Sequence, residues 1–137
     1  EGFFTPALEI YLASAHGKKP SLIAEISCQG HRSSANAVTT DSSFVVYRIT
    51  VYDRTFRTRE RLGVGNTYGD IRRLYPGDRP EIGEGSVVVA PAGLGLTFSL
   101  DVTRIPQRWY RTGHRNSSLI PDDTAVIAVL IYGNPAL

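Results

Sequence analysis

The segment GVGNTYGDIRRLYPG, residues 63–77, decides how the middle of this chain folds. Its glycines Gly63, Gly65 and Gly69 stand close to two arginines, as glycines do in phosphate-binding loops. A dinucleotide-binding loop requires GxGxxG directly after a hydrophobic strand, whereas this chain has GxGxxxG after RTRERL. A Walker loop requires GK followed by Ser or Thr, and the segment contains no lysine. Both nucleotide-binding interpretations therefore fail.

The same segment has the pattern of a capped amphipathic helix. Thr67 is a favourable N-cap residue, and Asp70 three positions later completes a capping box. The apolar residues recur at helical spacing and form one stripe: Tyr68, Ile71, Leu74 and Tyr75. Pro76 then ends the pattern. We therefore predict a helix over residues 67–75, the only one longer than two turns, packed on a sheet. Anion binding at its N-terminus is the alternative use of the same residues.

Strand patterns occupy most of the remaining sequence. They cover residues 7–14, 21–28, 44–52, 86–90, 94–102 and 124–132. Segment 94–102 alternates apolar and polar residues, which predicts one dry face and one wet face. Segment 124–132 is apolar at both parities, which predicts a central strand buried on both faces. The expected fold class is α+β: a mainly antiparallel β-sheet of about six strands with one short helix (67–75) packed on one face.

The composition is that of an ordered globular protein, with 42% hydrophobic and 20% charged residues. We expect a single domain over residues 1–137, either whole or as the C-terminal part of a longer precursor. No apolar run approaches the about 20 residues that span a bilayer, so no transmembrane segment is expected. The chain shows no signal peptide, but it begins at Glu1 and contains no methionine, which indicates a processed start and is compatible with an export signal upstream.

A resemblance to a known group of proteins rests on the helix start. Residues at fixed spacing match the form G-(hydrophobic)-x-x-T-x-x-x-(I/V)-x-x-x-(Y/L), namely Gly63, Val64, Thr67, Ile71 and Tyr75. With the hairpin that follows, residues 56–102 resemble small bacterial envelope proteins of the β-lactamase-inhibitor-protein-like type, including outer-membrane assembly lipoproteins. The inhibitor fold contains two such helix starts, and this chain shows one. The resemblance implies an exported, non-enzymatic binding or scaffolding domain whose partner is another protein or envelope component.

The basic residues suggest a second function. Thirteen of the fifteen are arginine, and they concentrate in segments 48–73 and 104–115. Guanidinium groups pair bidentately with phosphate and carboxylate, so the alternative is a binder of an anionic polymer or membrane surface. The candidate anion-binding residues are Arg57, Arg59, Arg72 and Arg73. A GC-rich genome explains the same composition without any function.

The segment RIPQRWYRTGHR, residues 104–115, is the most suggestive candidate for a ligand site. It lies in a long stretch without strand pattern, and such loops often carry function. The candidate ligand-binding residues are Arg108, Trp109, Tyr110, Arg111 and His114. A recognition surface requires an exposed indole, whereas a structural loop buries the indole against the end of the sheet. We expect burial.

No catalytic residue, metal site or cofactor is predicted. The histidines His16, His31 and His114 lack the spacing of metal ligands, and no GxSxG motif occurs. A hydrolase with a histidine-based site assembled through space is a third functional alternative. Asp122 and Asp123 form either a cation or acid–base site or, as we expect, a turn before the last strand. The lone cysteine, Cys28, excludes an internal disulfide and is expected to be a buried strand residue.

Overall fold

Seven strands form one antiparallel sheet in the computed structural model, which describes residues 7–12, 19–29, 43–83, 85–112 and 116–133. The strands are β1 Ala7–Ile10, β2 Leu22–Gln29, β3 Ser43–Val51, β4 Glu81–Gly83, β5 Ser86–Val89, β6 Leu96–Leu100 and β7 Val126–Tyr132. Their order across the sheet is β1-β2-β3-β7-β6-β5-β4, and every neighbouring pair is antiparallel. The α+β class and the antiparallel sheet are confirmed, with seven strands in place of about six.

The additional strand is β4, which forms a hairpin with β5. Its sequence is EIG, preceded by Pro80, and three residues are too few to show an alternation of apolar and polar side chains. The turn into β5 contains Gly85 at a φ of 73°. This strand therefore exists because its neighbour offers hydrogen bonds, with little contribution from its own sequence.

The strand β7 is central, as predicted, because it pairs with β3 on one side and β6 on the other. Burial on both faces holds only for its middle. Ala128, Val129 and Leu130 are buried, whereas Ile127 and Ile131 are exposed. The exposed end of an aliphatic central strand means that part of one sheet face lacks a covering layer.

The prediction that the Thr97 and Ser99 face of β6 is exposed to solvent is wrong. Thr97 and Ser99 are buried, because they lie opposite Leu130 and Ala128 in the middle of the sheet. The hydroxyl groups of Ser99 and Ser86 are 3.0 Å apart and share a hydrogen bond. The strand also ends earlier than its alternation suggests, since residues Val102–Arg104 form a 3₁₀ turn.

Two short helices cover part of the sheet, α1 over Tyr68–Leu74 and α2 over Gln107–Arg111. The predicted helix is confirmed with its capping box, but seven residues make slightly less than two turns of 3.6 residues each. Tyr68 and Ile71 are fully buried and Tyr75 packs against the core, whereas Leu74 is exposed. Neither described helix has the length or the unbroken apolar sequence that a bilayer crossing requires.

The core lies between the two helices and the β4–β7 half of the sheet. Its largest fully buried side chains are Trp109, Tyr68 and Phe98. Val89 lies opposite Phe98, and Phe98 lies opposite Val129, so apolar residues of three neighbouring strands line one face. Cys28 is in β2 as predicted, and its side chain lies outside the part of the chain that the structure describes.

Candidate functional site

The backbone of the glycine segment is occupied by the fold. The N–H of Gly65 donates to Val126 O at 2.8 Å, that of Tyr68 to Thr124 O at 2.8 Å, and that of Gly69 to Asp122 O at 2.9 Å. A phosphate held by a glycine loop needs these amide groups to be free. The start of α1 is therefore capped by the chain itself, and the structural interpretation of residues 63–77 is confirmed.

At each of the three glycine positions the geometry disfavours a side chain. A Cβ at Gly63 would lie 2.5 Å from the carbonyl oxygen of Phe56, and a Cβ at Gly69 would lie 3.0 Å from the Cβ of Asp122. Gly65 has a φ of 91°, in the region that glycine adopts without strain. The glycines thus permit three close approaches of backbone to backbone or side chain around the helix start.

Three of the four candidate anion-binding arginines are engaged within the chain. Arg57 donates from Nη1 to Val64 O at 2.8 Å. Arg72 pairs with Asp122 at 2.7 Å, and Arg73 pairs with Asp70 at 3.0 Å. The fourth, Arg59, is exposed at the tip of a turn. Of these four arginines, Arg72 and Arg73 line one depression, where each is paired with an aspartate.

An open depression of about 740 Å³ lies beside α1 and is lined by charged side chains. Asp70, Asp122 and Asp123 line it together with two of the arginines. The hydrogen bond from the backbone N–H of Thr67 is the main reason that the pKa of Asp70 is lowered, and Arg73 adds to it. Each of these aspartates is paired with an arginine, Asp123 with Arg104 outside the lining, so the charges are engaged within the chain.

The adjacent aspartates close a turn, as expected. Asp122 pairs with Arg72, and Asp123 pairs with Arg104 at 2.8 Å. No group of three or more His, Cys, Asp or Glu side chains suited to a metal ion occurs among the described residues. The turn therefore anchors α1 and the 3₁₀ turn before α2 to the start of β7.

In the loop of residues 104–112, the indole of Trp109 is 0% exposed, so the expected burial is confirmed. Its ring meets that of Tyr110 edge to face, with centroids 5.1 Å apart. Arg108 and Arg111 are exposed on the same helix. The indole is thus a core residue, and only the two arginines and the half-buried tyrosine of the described candidates reach the surface.

The three histidines lie outside the described residues. Among the titratable groups that the structure describes, burial raises the pKa of Tyr68, while Ser117 and Arg72 act against that rise. Hydrogen bonds from Thr103 lower the pKa of Asp101 and those from Thr55 lower the pKa of Asp53, as is usual for capping carboxylates. The lowered pKa values of the two aspartates thus reflect local turns, and the raised pKa of Tyr68 reflects its burial in the core.

The surface that the sequence did not reveal is a row of aliphatic side chains across five strands. The strand register places Leu96 opposite Ile131, Ile131 opposite Ile49, Ile49 opposite Ala24, and Ala24 opposite Leu8. These five residues are called the apolar row below. Leu8 is 57% exposed and Ile131 39% exposed.

The apolar row continues the core into solvent. The next row on the same face starts at the fully buried Phe98, passes through Val129 and Val51, and ends at Ile10, which is exposed on the edge strand β1. Along this second row Phe98, Val129 and Val51 are buried, and only Ile10 is exposed. Within the apolar row Ala24 is buried and Ile49 and Leu96 are half-buried, so the exposed aliphatic surface lies at Leu8 and Ile131. Exposed apolar surface on a sheet face marks interaction sites in soluble proteins.

A groove of about 170 Å³ lies where the apolar row meets the turn before α1. Its walls are mainly aliphatic and aromatic, formed by Val51, Phe56, Leu62, Leu96, Val129 and Ile131. The turn is closed by the N–H of Thr58, which donates to Leu62 O at 2.8 Å. Arg59, Glu60 and Arg61 are exposed at its tip. The groove thus has mainly apolar walls, and the charged tip of the turn directly follows its wall residue Thr58 in sequence.

Comparisons with known proteins give one structural similarity. The crystal structure of the uncharacterized protein YfeY from Escherichia coli has a TM-score of 0.58 and 13% sequence identity, over 93% of this chain and 71% of that chain. At this identity the similarity shows the fold alone. It is compatible with a bacterial envelope protein and does not establish the inhibitor-like type. No family model and no curated protein matches the chain.

Proposed function

We propose that this protein is a non-enzymatic, exported binding domain that holds a partner protein against its apolar row. The observation that carries the proposal is the exposure of Leu8, Ile10 and Ile131 on one sheet face that is continuous with the core. Leaving such a face in water forgoes about 25 cal/mol for each Å² of apolar surface that a partner would cover. A partner protein that covers this face recovers that free energy.

The size of the groove supports a protein partner over a small molecule. Sites for drug-sized ligands usually enclose roughly 300–1,000 Å³. The groove beside Phe56 and Ile131 has about 170 Å³, which suits one large apolar side chain. Protein interfaces place their binding energy in a few such anchors seated in apolar pockets.

Export is a separate part of the proposal. Its support is the match of Gly63, Thr67 and Ile71 to the helix start of the envelope proteins named above. Fractionation of the source cells tests it directly, with an antibody against the full chain. Recovery with the cytoplasmic fraction would remove export from the proposal and leave the binding surface to be judged separately.

The engaged arginines favour a protein partner over a polyanion. Ion pairs with aspartates cancel much of the attraction that three of the arginines would have for a phosphate backbone, namely Arg72, Arg73 and Arg104. Polyanion binding weakens steeply as salt rises, because counterions are released. Retention on heparin or nucleic acid that is lost between about 50 and 200 mM salt would favour the polyanion alternative.

Site-specific photo-crosslinking tests the binding surface. A benzophenone side chain is placed at position 131, on the apolar row, and in a second variant at position 74. Leu74 is a matched control because it is 44% exposed and aliphatic but lies on α1, away from the row. We expect position 131 to give a discrete crosslinked protein in the source cells and position 74 to give none.

Mass spectrometry of the crosslinked product decides the outcome. A single foreign protein joined to position 131 supports the proposal. Crosslinks only to a second copy of the chain would make the apolar row a self-association face and contradict it. Equal products from both positions would show unspecific contact and would also contradict it.

A further inference from the structure

We infer that the partner presents an apolar anchor side chain flanked by carboxylates, and that the turn beside the groove recognises those carboxylates. This inference rests on the proposed function, because it specifies the chemistry of the partner that occupies the apolar row. The turn comprises residues 54–61, RTFRTRER, and is called the arginine turn below. Its recognition role follows from its charge, its rigidity and its position at the groove.

The arginine turn carries a local excess of positive charge. It contains four arginines and a single acid, Glu60. Asp53, just before it, is a second acid, whose pKa is lowered by hydrogen bonds from the Thr55 hydroxyl at 2.7 Å and the Thr55 N–H at 2.8 Å, so residues 53–61 carry four arginines against two acids. The arginine turn therefore differs from the depression beside α1, where acids and bases pair within the chain.

The arginine turn is held rigidly with its apolar side inward. Phe56 and Leu62 line the groove, and Arg57 is fixed by its hydrogen bonds to Val64 O at 2.8 Å and to Asn66 Oδ1 at 3.3 Å. Arg57 is thus part of the wall. The cations left for a partner are at the tip, where both Arg59 and Arg61 are exposed.

The backbone at the tip is unusual. Arg61 has a φ of 66°, and it is the one residue other than glycine with a positive φ in the part of the chain that the structure describes. The N–H of Arg61 donates to Thr58 O at 2.9 Å, and the N–H of Thr58 donates to Leu62 O at 2.8 Å, so the positive φ belongs to the geometry of this closed turn. The same turn leaves both Arg59 and Arg61 exposed.

An acidic protein segment fits this combination better than a lipid. The groove of about 170 Å³ seats one side chain, and the exposed Arg59 directly follows Thr58, which lines the groove. Guanidinium and carboxylate pair bidentately in a planar geometry. An acyl chain would need a longer cavity than this groove offers.

Selection from a random peptide library tests the inference without assuming a sequence. Peptides of about twelve residues, displayed on phage, are selected on the full chain and then synthesised. We expect aspartate or glutamate to be enriched within a few positions of a large apolar residue. Their affinity is measured for the native chain and for three variants: Arg59→Glu, Arg79→Glu and Ile131→Glu.

The variants separate charge recognition from the apolar anchor. Arg79 is a matched control for Arg59 because it is also an exposed arginine but lies outside the arginine turn, before β4. We expect Arg59→Glu to weaken binding about 3- to 10-fold at low salt, less at high salt, and Arg79→Glu to change it little. Adding Arg61→Glu to Arg59→Glu should weaken binding further.

The possible results distinguish the two proposals. Selected peptides without acidic enrichment, which lose affinity in Ile131→Glu but not in Arg59→Glu, would overturn this inference and leave the proposed function standing. Peptides that bind Ile131→Glu as well as the native chain would overturn the proposed function. Failure to select any peptide, together with binding to vesicles of anionic lipid that Arg59→Glu abolishes, would overturn the inference in favour of a membrane surface.

Discussion

At the scale of single residues, Gly63 shows how closely the helix start is packed. A Cβ at this position would lie 2.5 Å from Phe56 O and 2.7 Å from Arg57 Nη1. The first of these is a backbone atom, which cannot rotate away as a side chain can. The same approach lets Arg57 reach Val64 O, so one missing methyl group sets the position of one wall of the groove.

We therefore expect Gly63→Ala to lower the free energy of unfolding by roughly 1–3 kcal/mol through overpacking. Gly77→Ala is the control, since no atom lies within 4 Å of a Cβ there, and it should change stability by less than about 1 kcal/mol. Urea unfolding of both variants provides the measurement. Equal stability of the two variants would show that the turn before α1 can shift to accommodate a Cβ at position 63 without loss of unfolding free energy.

Trp109 is a fluorescence probe of the core. It is the only tryptophan and is fully buried between the helices and the sheet. We expect its fluorescence in the folded state to be blue-shifted and poorly quenched by acrylamide, and to shift to the red on unfolding. Strong acrylamide quenching in the native state would mean an indole open to solvent, contrary to the structure.

At the scale of elements, α1 depends on its cap and on one buried face. The Thr67 hydroxyl accepts from the N–H of Asp70 at 3.3 Å, and the Asp70 carboxylate accepts from the N–H of Thr67 at 3.1 Å. We expect Thr67→Ala to cost about 1 kcal/mol of unfolding free energy. Leu100→Ala, which empties a fully buried position in β6, should cost more, roughly 2–5 kcal/mol.

Chemical denaturation of these two variants ranks cap against core. A larger loss from Thr67→Ala than from Leu100→Ala would reverse that ranking. The helix α1 would then contribute more to stability than the sheet face it covers.

The elements also show which parts of the fold could be predicted from sequence. The capping box of α1 joins residues three positions apart, so local spacing was sufficient to find it. The strand β4 has no pattern of its own and forms by pairing with β5. The burial of Thr97 follows from a partner strand that lies about thirty positions later in the chain, which local alternation does not reveal.

The candidate site was missed for the same physical reason. The apolar row requires Ile49 to lie opposite Ile131, residues more than eighty positions apart in sequence. Each strand shows its own apolar alternation, but the register between strands is set by long-range pairing. The arginines were visible in sequence, whereas the acids that engage Arg72 and Arg104 became visible only in the folded chain.

At the scale of the whole molecule, an ion pair links two strands of the less covered half of the sheet. The Arg48 guanidinium binds Glu25 through both oxygens, with Nη2 donating to Oε1 at 2.7 Å, and the Tyr47 hydroxyl donates to the same carboxylate at 3.2 Å. These contacts hold the pKa of Glu25 below its ordinary value of 4.5, and the hydrogen bond from Arg48 is the largest cause. The folded state therefore favours the ionised carboxylate more than the unfolded state does.

Stability should accordingly depend on pH in the acid range. The contribution of Glu25 is fully present above the unfolded-state pKa and is lost as the pH falls through the lower, folded-state pKa. We expect the free energy of unfolding to decrease below about pH 4.5 and the decrease to be shallower in Glu25→Gln. Asp70 has a pKa lowered in the same direction, so the variant should retain part of the slope. Identical slopes for both proteins in urea titrations would contradict the linkage.

The central place of β7 has a consequence for how the protein is made. Among the described strands it is the last to be synthesised, yet β1–β3 and β4–β6 join into one sheet only through it. At about 5–20 residues per second, a ribosome takes seconds to travel from β3 to the end of β7. Until β7 is made, β3 presents an unpaired edge, and β6 does so as well once it has been synthesised. Unpaired strand edges are templates for aggregation. A chain released before Val126 would lack the strand that joins β1–β3 to β4–β6 and would leave both edges unpaired.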